Sequence, residues 1–331
     1  MLMETERNSP NLNSIPVVTY DELKKGDVSS IHKIGESFQK FGIIRIAHHP
    51  LKSEARAKLL DVAKQFFSLS AEVKQQYFDS KTNGMIGHIK LPDGLKDGGQ
   101  SGVGYFLEGA EFWHSYKEPF DRQQEKALMI ENVWPKEVEN FRSHVMESSE
   151  LLNEISYQVL RALAIFAKVP ADIFRPLIHN GWSMHRLMQY PANPKAVPGT
   201  IRVLPHRDVT VLSFLMAGNN NGLEVLHHKK WLPVTTEQQD LLVSASEILE
   251  ILTGGFYKSC YHRVVHTPTS HLPRTTFIYF AMPAPQVMLH PLPHFSLREN
   301  SKMKTKEINF MDYLEQNLLV NLSYFKERIP Q

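Results

Sequence analysis

Apolar residues recur at helical spacing over Ser30–Phe41, where Ile31, Ile34, Phe38 and Phe41 share one face and Gly42 supplies the stop. A short strand is expected before it, at Ile15–Val18, and the β-branched run Ile43–Ala47 predicts another after it. Residues 53–68 read as a second amphipathic helix that buries Leu59, Leu60, Ala63, Phe66 and Phe67. Residues 80–104 are rich in Gly, Lys and Asp and predict a long surface excursion. Residues 135–168 read as helical throughout, closed by Pro170. After Gly181 the period shortens from helical to alternating. Strands are expected at Trp182–Tyr190, Val209–Met216, Gly222–Leu226, Leu241–Ser244, Tyr261–Val265 and Thr276–Met282, with turns such as Gly254-Gly255 between them. Many short, evenly spaced strands imply a sandwich or barrel. A last helix over 306–326 carries Phe310, Tyr313, Leu314, Leu318 and Leu319.

Composition narrows the function classes more than the fold. The 331 residues suffice for one large domain or two ordinary ones, and 42% hydrophobic with 22% charged residues suits a globular chain with a sizeable core. A formal charge of +2 offers no basic field, so nucleic acid is not the expected partner. The single cysteine, Cys260, forms no internal disulfide framework and fits a reducing, cytoplasmic setting. No apolar run approaches the ~18–20 residues that span a bilayer, and residues 1–14 are polar, read as a loose tail rather than a signal peptide. The oligomeric state is not legible.

His206-Arg207-Asp208 sets an imidazole and a carboxylate two residues apart, on one face if the segment is a strand. His262, in another predicted strand, completes a set of two histidines and one carboxylate, which leaves open positions on a metal for cosubstrate and dioxygen. His-x-Asp is common by chance, so an ordinary strand pattern stands beside this reading. Arg274 and Thr276 follow in the next strand, again on one face with Ile278 and Phe280. A guanidinium fork with a hydroxyl is a clamp for the far carboxylate of a diacid.

In this order, His206-Arg207-Asp208, Tyr261-His262-Arg263-Val264-Val265-His266 and Arg274-Thr275-Thr276-Phe277-Ile278-Tyr279-Phe280 resemble the iron(II)- and 2-oxoglutarate-dependent dioxygenases of the isopenicillin N synthase type. Ile15-Pro16-Val17-Val18, Phe41-Gly42-Ile43-Ile44 through His48-His49-Pro50-Leu51, and Phe66-Phe67-Ser68-Leu69-Ser70 with Lys74 and Tyr77 are similar to the family's opening segments. The resemblance implies an α+β chain with a double-stranded β-helix core (jelly-roll, cupin-like) flanked by N-terminal and C-terminal helices. In that division residues 15–135 are the N-terminal region, 136–180 a helical connection, 181–285 the Fe(II)/2-oxoglutarate core and 286–331 a C-terminal helical segment. It implies iron ligands His206, Asp208 and His262, with 2-oxoglutarate held by Arg274, Thr276 and Tyr190. Tyr190 reads equally as an aromatic packed at a strand end. The chain departs from the family pattern at Arg207, Met188 and Ser244-Ala245-Ser246-Glu247.

The implied chemistry uses Fe(II), 2-oxoglutarate and O2 to oxidise a small molecule, with hydroxylation the commonest outcome and succinate and CO2 released. Two alternatives stay open: an iron oxidase or cyclase of the same fold without 2-oxoglutarate, and a non-catalytic binding module. Counting strand parity from Tyr190 places Met188, Arg186 and Met184 in the pocket, and counting from Asp208 places Thr210, Leu212 and Phe214 there, opposite Phe280. Arg186 then either meets an acidic substrate or pairs with an internal carboxylate. Cys260 is either close to the metal or a small buried filler. Residues 80–104 are either a cover over the site or a plain surface loop.

Overall fold

Capping residues delimit the first helices of the computed structural model, which describes residues 15–82, 84–91, 109–117, 131–179, 181–217, 222–234, 239–297 and 307–318. After β1 (Val17–Thr19), Thr19 and Glu22 form a reciprocal capping box that starts α1 (Tyr20–Lys25). Gly26, in the left-handed region at φ 73°, ends it, and the Asp27 carboxylate accepts the Ser30 amide at 2.8 Å to start α2 (Val28–Lys40). There follow β2 (Ile43–Ala47), α3 (Ser53–Ser68), α4 (Ala71–Gln75), β3 (Gly87–Lys90) and β4 (Glu111–Tyr116). The long α5 (Phe141–Phe166) and short α6 (Arg175–His179) lead into β5 (Met184–Tyr190), β6 (Ile201–His206), β7 (Leu212–Ala217), β8 (Leu223–His227), β9 (Lys230–Pro233) and β10 (Leu241–Ala245). The chain continues through α7 (Glu247–Leu252), β11 (His262–Val265), β12 (Arg274–Ala281), β13 (Met288–Leu289), α8 (Pro293–Ser296), β14 (Ile308–Asn309) and α9 (Phe310–Leu318).

Two sheets face each other. The larger runs β1-β2-β10-β7-β12-β5-β4-β3, and the smaller β6-β11-β8-β9. Strand alternation splits the interior of the larger sheet into two cores. Leu187, Leu212, Phe214, Phe277 and Tyr279 pack with Ile34, Phe38, Leu59, Phe66, Leu152 and Val159 of α2, α3 and α5. From its other face, Ile43, Phe112, Met188, Tyr190 and Leu242 pack with Val203, Leu223, Val225 and Val264 of the smaller sheet. The space between the sheets is therefore walled by every second residue of β5, β7, β10 and β12. The arrangement is the expected jelly roll of mixed α+β class, with helices on one outer face.

Several local expectations differ from the structure. α5 starts at Phe141 rather than at 135, because Asn140 sits at φ 59° and breaks the helical path. β4, β6 and β9 were not foreseen as strands, and β3 lies inside the segment read as a loop. Residues 83 and 92–104 of that segment, residues 1–14 and residues 319–326 of the last helix lie outside the described residues. Among the described residues no helix is long and apolar enough to cross a membrane.

α2 meets α5 through Gly35, where an added Cβ would lie 2.0 Å from Cγ of Phe166 and within 2.4 Å of two more ring carbons. Gly35→Ala gains about 1 kcal/mol of helix propensity, but the half-buried Phe166 ring, which also packs edge-on against His32 at 5.5 Å between centroids, must shift to admit the methyl. A net loss of roughly 1–3 kcal/mol from overpacking is expected, read as a lower thermal midpoint. An unchanged or higher midpoint would show that the two helices separate at little cost.

Candidate metal centre

His206 ends β6 and His262 begins β11, and the two are direct partners in the antiparallel ladder. Their ring centroids are 4.3 Å apart. His206 Nδ1 lies 2.8 Å from the Leu204 carbonyl, and His262 Nδ1 lies 3.1 Å from the Cys260 carbonyl. A carbonyl can only accept, so Nδ1 carries the proton in each ring and Nε2 presents a lone pair. Asp208 Oδ1 lies 3.7 Å from His206 Nε2. Among the described residues, His206, Asp208 and His262 are the one group of three metal-binding side chains whose ligand atoms all lie within 4.8 Å of one another.

The carboxylate gets there by a different route from the one its spacing implied. β6 stops at His206, so Asp208 is not a strand residue; it sits on the connection to β7. Backbone bonds sew that connection to the start of α7. The Glu247 amide donates to the Asp208 carbonyl at 2.9 Å, Ile248 to Thr210 at 3.1 Å, and Ser246 to Val211 at 3.3 Å. Glu247 is itself held by the Tyr313 hydroxyl of α9, at 2.7 Å from Oε2. Thr210 lines the cavity as counted, and with Ser213 and Ser246, two hydroxyls the sequence reading missed, it closes the rear of the site: Thr210 Oγ1 lies 3.0 Å from Ser213 Oγ and 2.9 Å from Ser246 Oγ. Arg207 is exposed at the edge of the same cavity and stacks 4.9 Å over the Tyr261 ring.

Burial alone would raise the Asp208 carboxyl, but the neighbouring His262 and His206 and a hydrogen bond from Ser213 hold it below the ordinary aspartate range. Burial, followed by repulsion from His262, keeps His206 below the usual imidazole range. At neutral pH the group is therefore an ionised carboxylate beside an uncharged His206, the protonation states that metal binding requires. The donor set and the two preset imidazoles fit a divalent ion with open coordination positions.

One cavity joins this group to the facing strands, and about 1180 Å³ of empty space lies within it, part of it open to solvent. Parity counted along β5 and β12 places residues as expected: Met184, Arg186, Met188, Tyr190, Arg274, Thr276, Ile278 and Phe280 all line the cavity. They also pair across the ladder, Arg274 with Tyr190 and Thr276 with Met188. The Arg274 guanidinium lies 5.4 Å over the Tyr190 ring. The Thr276 hydroxyl is fully buried and has no hydrogen-bond partner among the described residues, the mark of a polar group set for a ligand.

Leu212 and Phe214 are a correction. Both are buried in the helix-side core, while their neighbours Ser213 and Leu215 line the cavity. Counting by twos from Asp208 fails because residues 207–211 are not extended as a strand, and the connection shifts the phase by one. Register shows the true phase: Ser213 pairs with Phe280 and Leu215 with Ile278. Cys260 also lines the cavity, buried, with burial raising its thiol above the ordinary range. Arg186 enters the cavity between the rings of Phe112 and Phe280, its guanidinium carbon 5.2 Å from each. Among the described residues no carboxylate lies within ion-pair distance of Arg186, and the charge that favours its guanidinium most is the Asp208 carboxylate.

Comparison with known proteins agrees with this geometry. The family model of the 2OG-Fe(II) oxygenase superfamily matches residues 182–283, and that of the non-haem dioxygenase in morphine synthesis N-terminal region matches residues 15–137. Gibberellin 2-beta-dioxygenase 1 of Pisum sativum is 24% identical over 91% of this chain and 86% of its own. A 2OG-Fe(II) oxygenase family protein of Caulobacter crescentus superposes with a TM-score of 0.81 at 28% identity, covering 93% of this chain and 99% of its own. A full-length Neurospora crassa protein, solved in complex with alpha-KG, superposes at 0.75 with 23% identity, covering 92% and 96%. The double-stranded β-helix, the family matches over residues 15–137 and 182–283 and the two-histidine, one-carboxylate group of this chain lead to one assignment: this chain belongs to the iron(II)- and 2-oxoglutarate-dependent oxygenase superfamily.

Proposed function

We propose that the chain hydroxylates a small organic molecule, with His206, Asp208 and His262 as ligands to Fe(II) and with Arg274, Thr276 and Tyr190 holding 2-oxoglutarate. The observation that carries the reading is the presence of both constellations in one cavity: a two-histidine, one-carboxylate group and, on the facing strands, a half-buried guanidinium beside a buried hydroxyl with no hydrogen-bond partner among the described residues. When bound, the iron couples reduction of O2 to oxidative decarboxylation of 2-oxoglutarate, giving succinate, CO2 and oxidation of a substrate C–H bond.

The protein's own residues do the placing. Carbonyls of Leu204 and Cys260 fix the tautomer of both imidazoles. The guanidinium of Arg274, stacked on Tyr190, takes the far carboxylate of the cosubstrate as a bidentate partner, and Thr276 donates its hydroxyl to the same group. Met184, Leu215, Ile278 and Phe280 wall the cavity with apolar surface, which keeps water from the reacting centre. In this reading residues 181–285 are the catalytic core, and the chain works in the cytoplasm.

Titration of 2-oxoglutarate into Fe(II)-loaded protein under argon, followed by succinate measurement in air over a panel of metabolites, tests the proposal. The expected result is one bound 2-oxoglutarate per chain and succinate release that rises with a productive substrate. Absence of 2-oxoglutarate binding would hand Arg274 and Thr276 to a carboxylate of the substrate, and the enzyme would be an oxidase.

A further inference from the structure

Arg186 is a cation in the cavity whose hydrogen bond among the described residues goes to a side chain without charge: its Nε donates to His114 Nε2 at 2.8 Å. His114 is buried on β4, directly across the ladder from Arg186, and its Nδ1 lies 2.9 Å from the Gly84 carbonyl. The carbonyl obliges Nδ1 to be the protonated nitrogen, so Nε2 accepts and the ring is neutral. Burial and the adjacent Arg186 keep it so, holding the His114 pKa down to about 3.

The geometry points to a primary substrate that is a small carboxylate on a mainly apolar body, its charged end taken by Arg186, with His114 as the positioning residue that aims the guanidinium. This rests on the assignment of 2-oxoglutarate to Arg274 and Thr276. Three observations support it. Withdrawing a guanidinium from water without a contacting anion is costly, yet among the described residues half-buried Arg186 has no carboxylate within ion-pair distance, Asp208 acting on it only from farther off. Its Nε is occupied by His114, and Phe112 and Phe280 lie against its faces, each 5.2 Å from the guanidinium carbon. The Nη edge is what remains for a planar, bidentate acceptor. Finally, among the charged groups that line the cavity, Asp208 and a bound 2-oxoglutarate offset Fe(II) and Arg274; of the two remaining cations Arg207 is exposed to solvent, and half-buried Arg186 is left for a ligand to balance. A monoanion balances it. The rest of the wall beside Arg186, Met184, Ile278, Phe280 and Met282, offers apolar surface only.

The experiment uses the full chain loaded with Mn(II) and 2-oxoglutarate, so that binding is read without turnover. Phenylacetate, cinnamate and hexanoate are titrated calorimetrically beside their primary amides. At least one acid is expected to bind, with its amide about 10-fold weaker or worse. Arg186→Gln should cost that acid roughly 10- to 100-fold in affinity, the range for losing a charge-assisted bidentate contact, and Arg186→Lys should recover part of it. His114→Phe keeps the packing and removes the acceptor, so acid affinity should fall several-fold, with His114→Gln restoring it. Thermal midpoints identify any variant that fails to fold, and the lysine variant then carries the comparison. Equal binding of acids and amides, no acid bound, or an acid preference that survives in Arg186→Gln would each overturn the inference. So would weakened 2-oxoglutarate binding in Arg186→Gln, which would make Arg186 part of the cosubstrate site. Failure of the parent to bind 2-oxoglutarate at all is a separate result, and it strikes the cosubstrate assignment rather than the acid preference.

Discussion

Asp208→Ala is expected to abolish turnover and to weaken Fe(II) or Mn(II) binding by more than roughly 100-fold, because even a residue that merely orients a ligand is worth 10- to 100-fold. The two imidazoles remain preset by their carbonyls, so residual weak binding through His206 and His262 should persist. The fold should survive. Asp208 is held through its backbone, by the Glu247 amide on its carbonyl, and that bond does not depend on the side chain. Removing the carboxylate forfeits its hydrogen bond from Ser213 and its attraction to the two histidines but also ends the desolvation of an ionised group, and with the two opposed the metal-free variant should melt close to the parent. Metal titration and thermal melting on the same preparation check both halves. A variant that binds metal as the parent does would sink the ligand assignment.

The second large effect concerns the opposite wall. Arg274→Ala should weaken 2-oxoglutarate by roughly 10- to 100-fold, the loss of a buried charge-assisted pair, and Arg274→Lys should recover only part, since a point charge cannot copy the fork. Thr276 supplies a sharper diagnostic, because its two effects have opposite signs. The hydroxyl is buried without a partner among the described residues, which costs about 1–3 kcal/mol of desolvation. Thr276→Val removes that cost at nearly constant shape, so the ligand-free protein should melt higher while its 2-oxoglutarate affinity falls. A valine variant that melts lower, with affinity unchanged, would mean that Thr276 serves the fold and not the ligand. Thermal melts with and without 2-oxoglutarate measure both changes together.

What the sequence could disclose tracks how far its strands run unbroken. Along β5 and β12 the period of two holds for seven and eight residues, so Arg186, Met188, Tyr190, Arg274 and Thr276 could be placed on one wall by counting. Leu212 and Phe214 could not, because the count crossed residues 207–211, where the chain leaves the strand. Asp208 shows the same limit from the other side. Its pairing with His206 was legible, but the cause is a connection pinned to α7, and nothing in the local pattern records a tertiary bond from Glu247. His114 went unnoticed for a different reason. Phe112, His114 and Tyr116 alternate with Trp113 and Ser115, yet nearly all five are apolar or aromatic and all five are buried, so no polar phase marks the strand or singles out its histidine. The hydroxyls of Thr210, Ser213 and Ser246 meet only because β7 and the start of α7 come together, which is invisible to spacing.

The order of strands in the larger sheet has a consequence for how the chain is made. β1 and β2 occupy one edge of it and β3 and β4 the other, while β10, β7, β12 and β5 fill the middle. β2 pairs with β1 on one side and with β10 on the other, through Ile43–Ile46 against Leu241–Ser244. A ribosome adding ~5–20 residues per second reaches β10 on the order of 10–40 s after finishing β2. Throughout that interval the inner edge of β2 stands without its neighbour, and Ile43 and Ile44 are exposed apolar surface. The nascent chain therefore has a window in which its first strands are open to mispairing, and a fragment that stops short of Leu241 never closes it. Because long-range pairing is slow and exposed to aggregation, the folded yield is expected to respond to synthesis rate and chaperone supply.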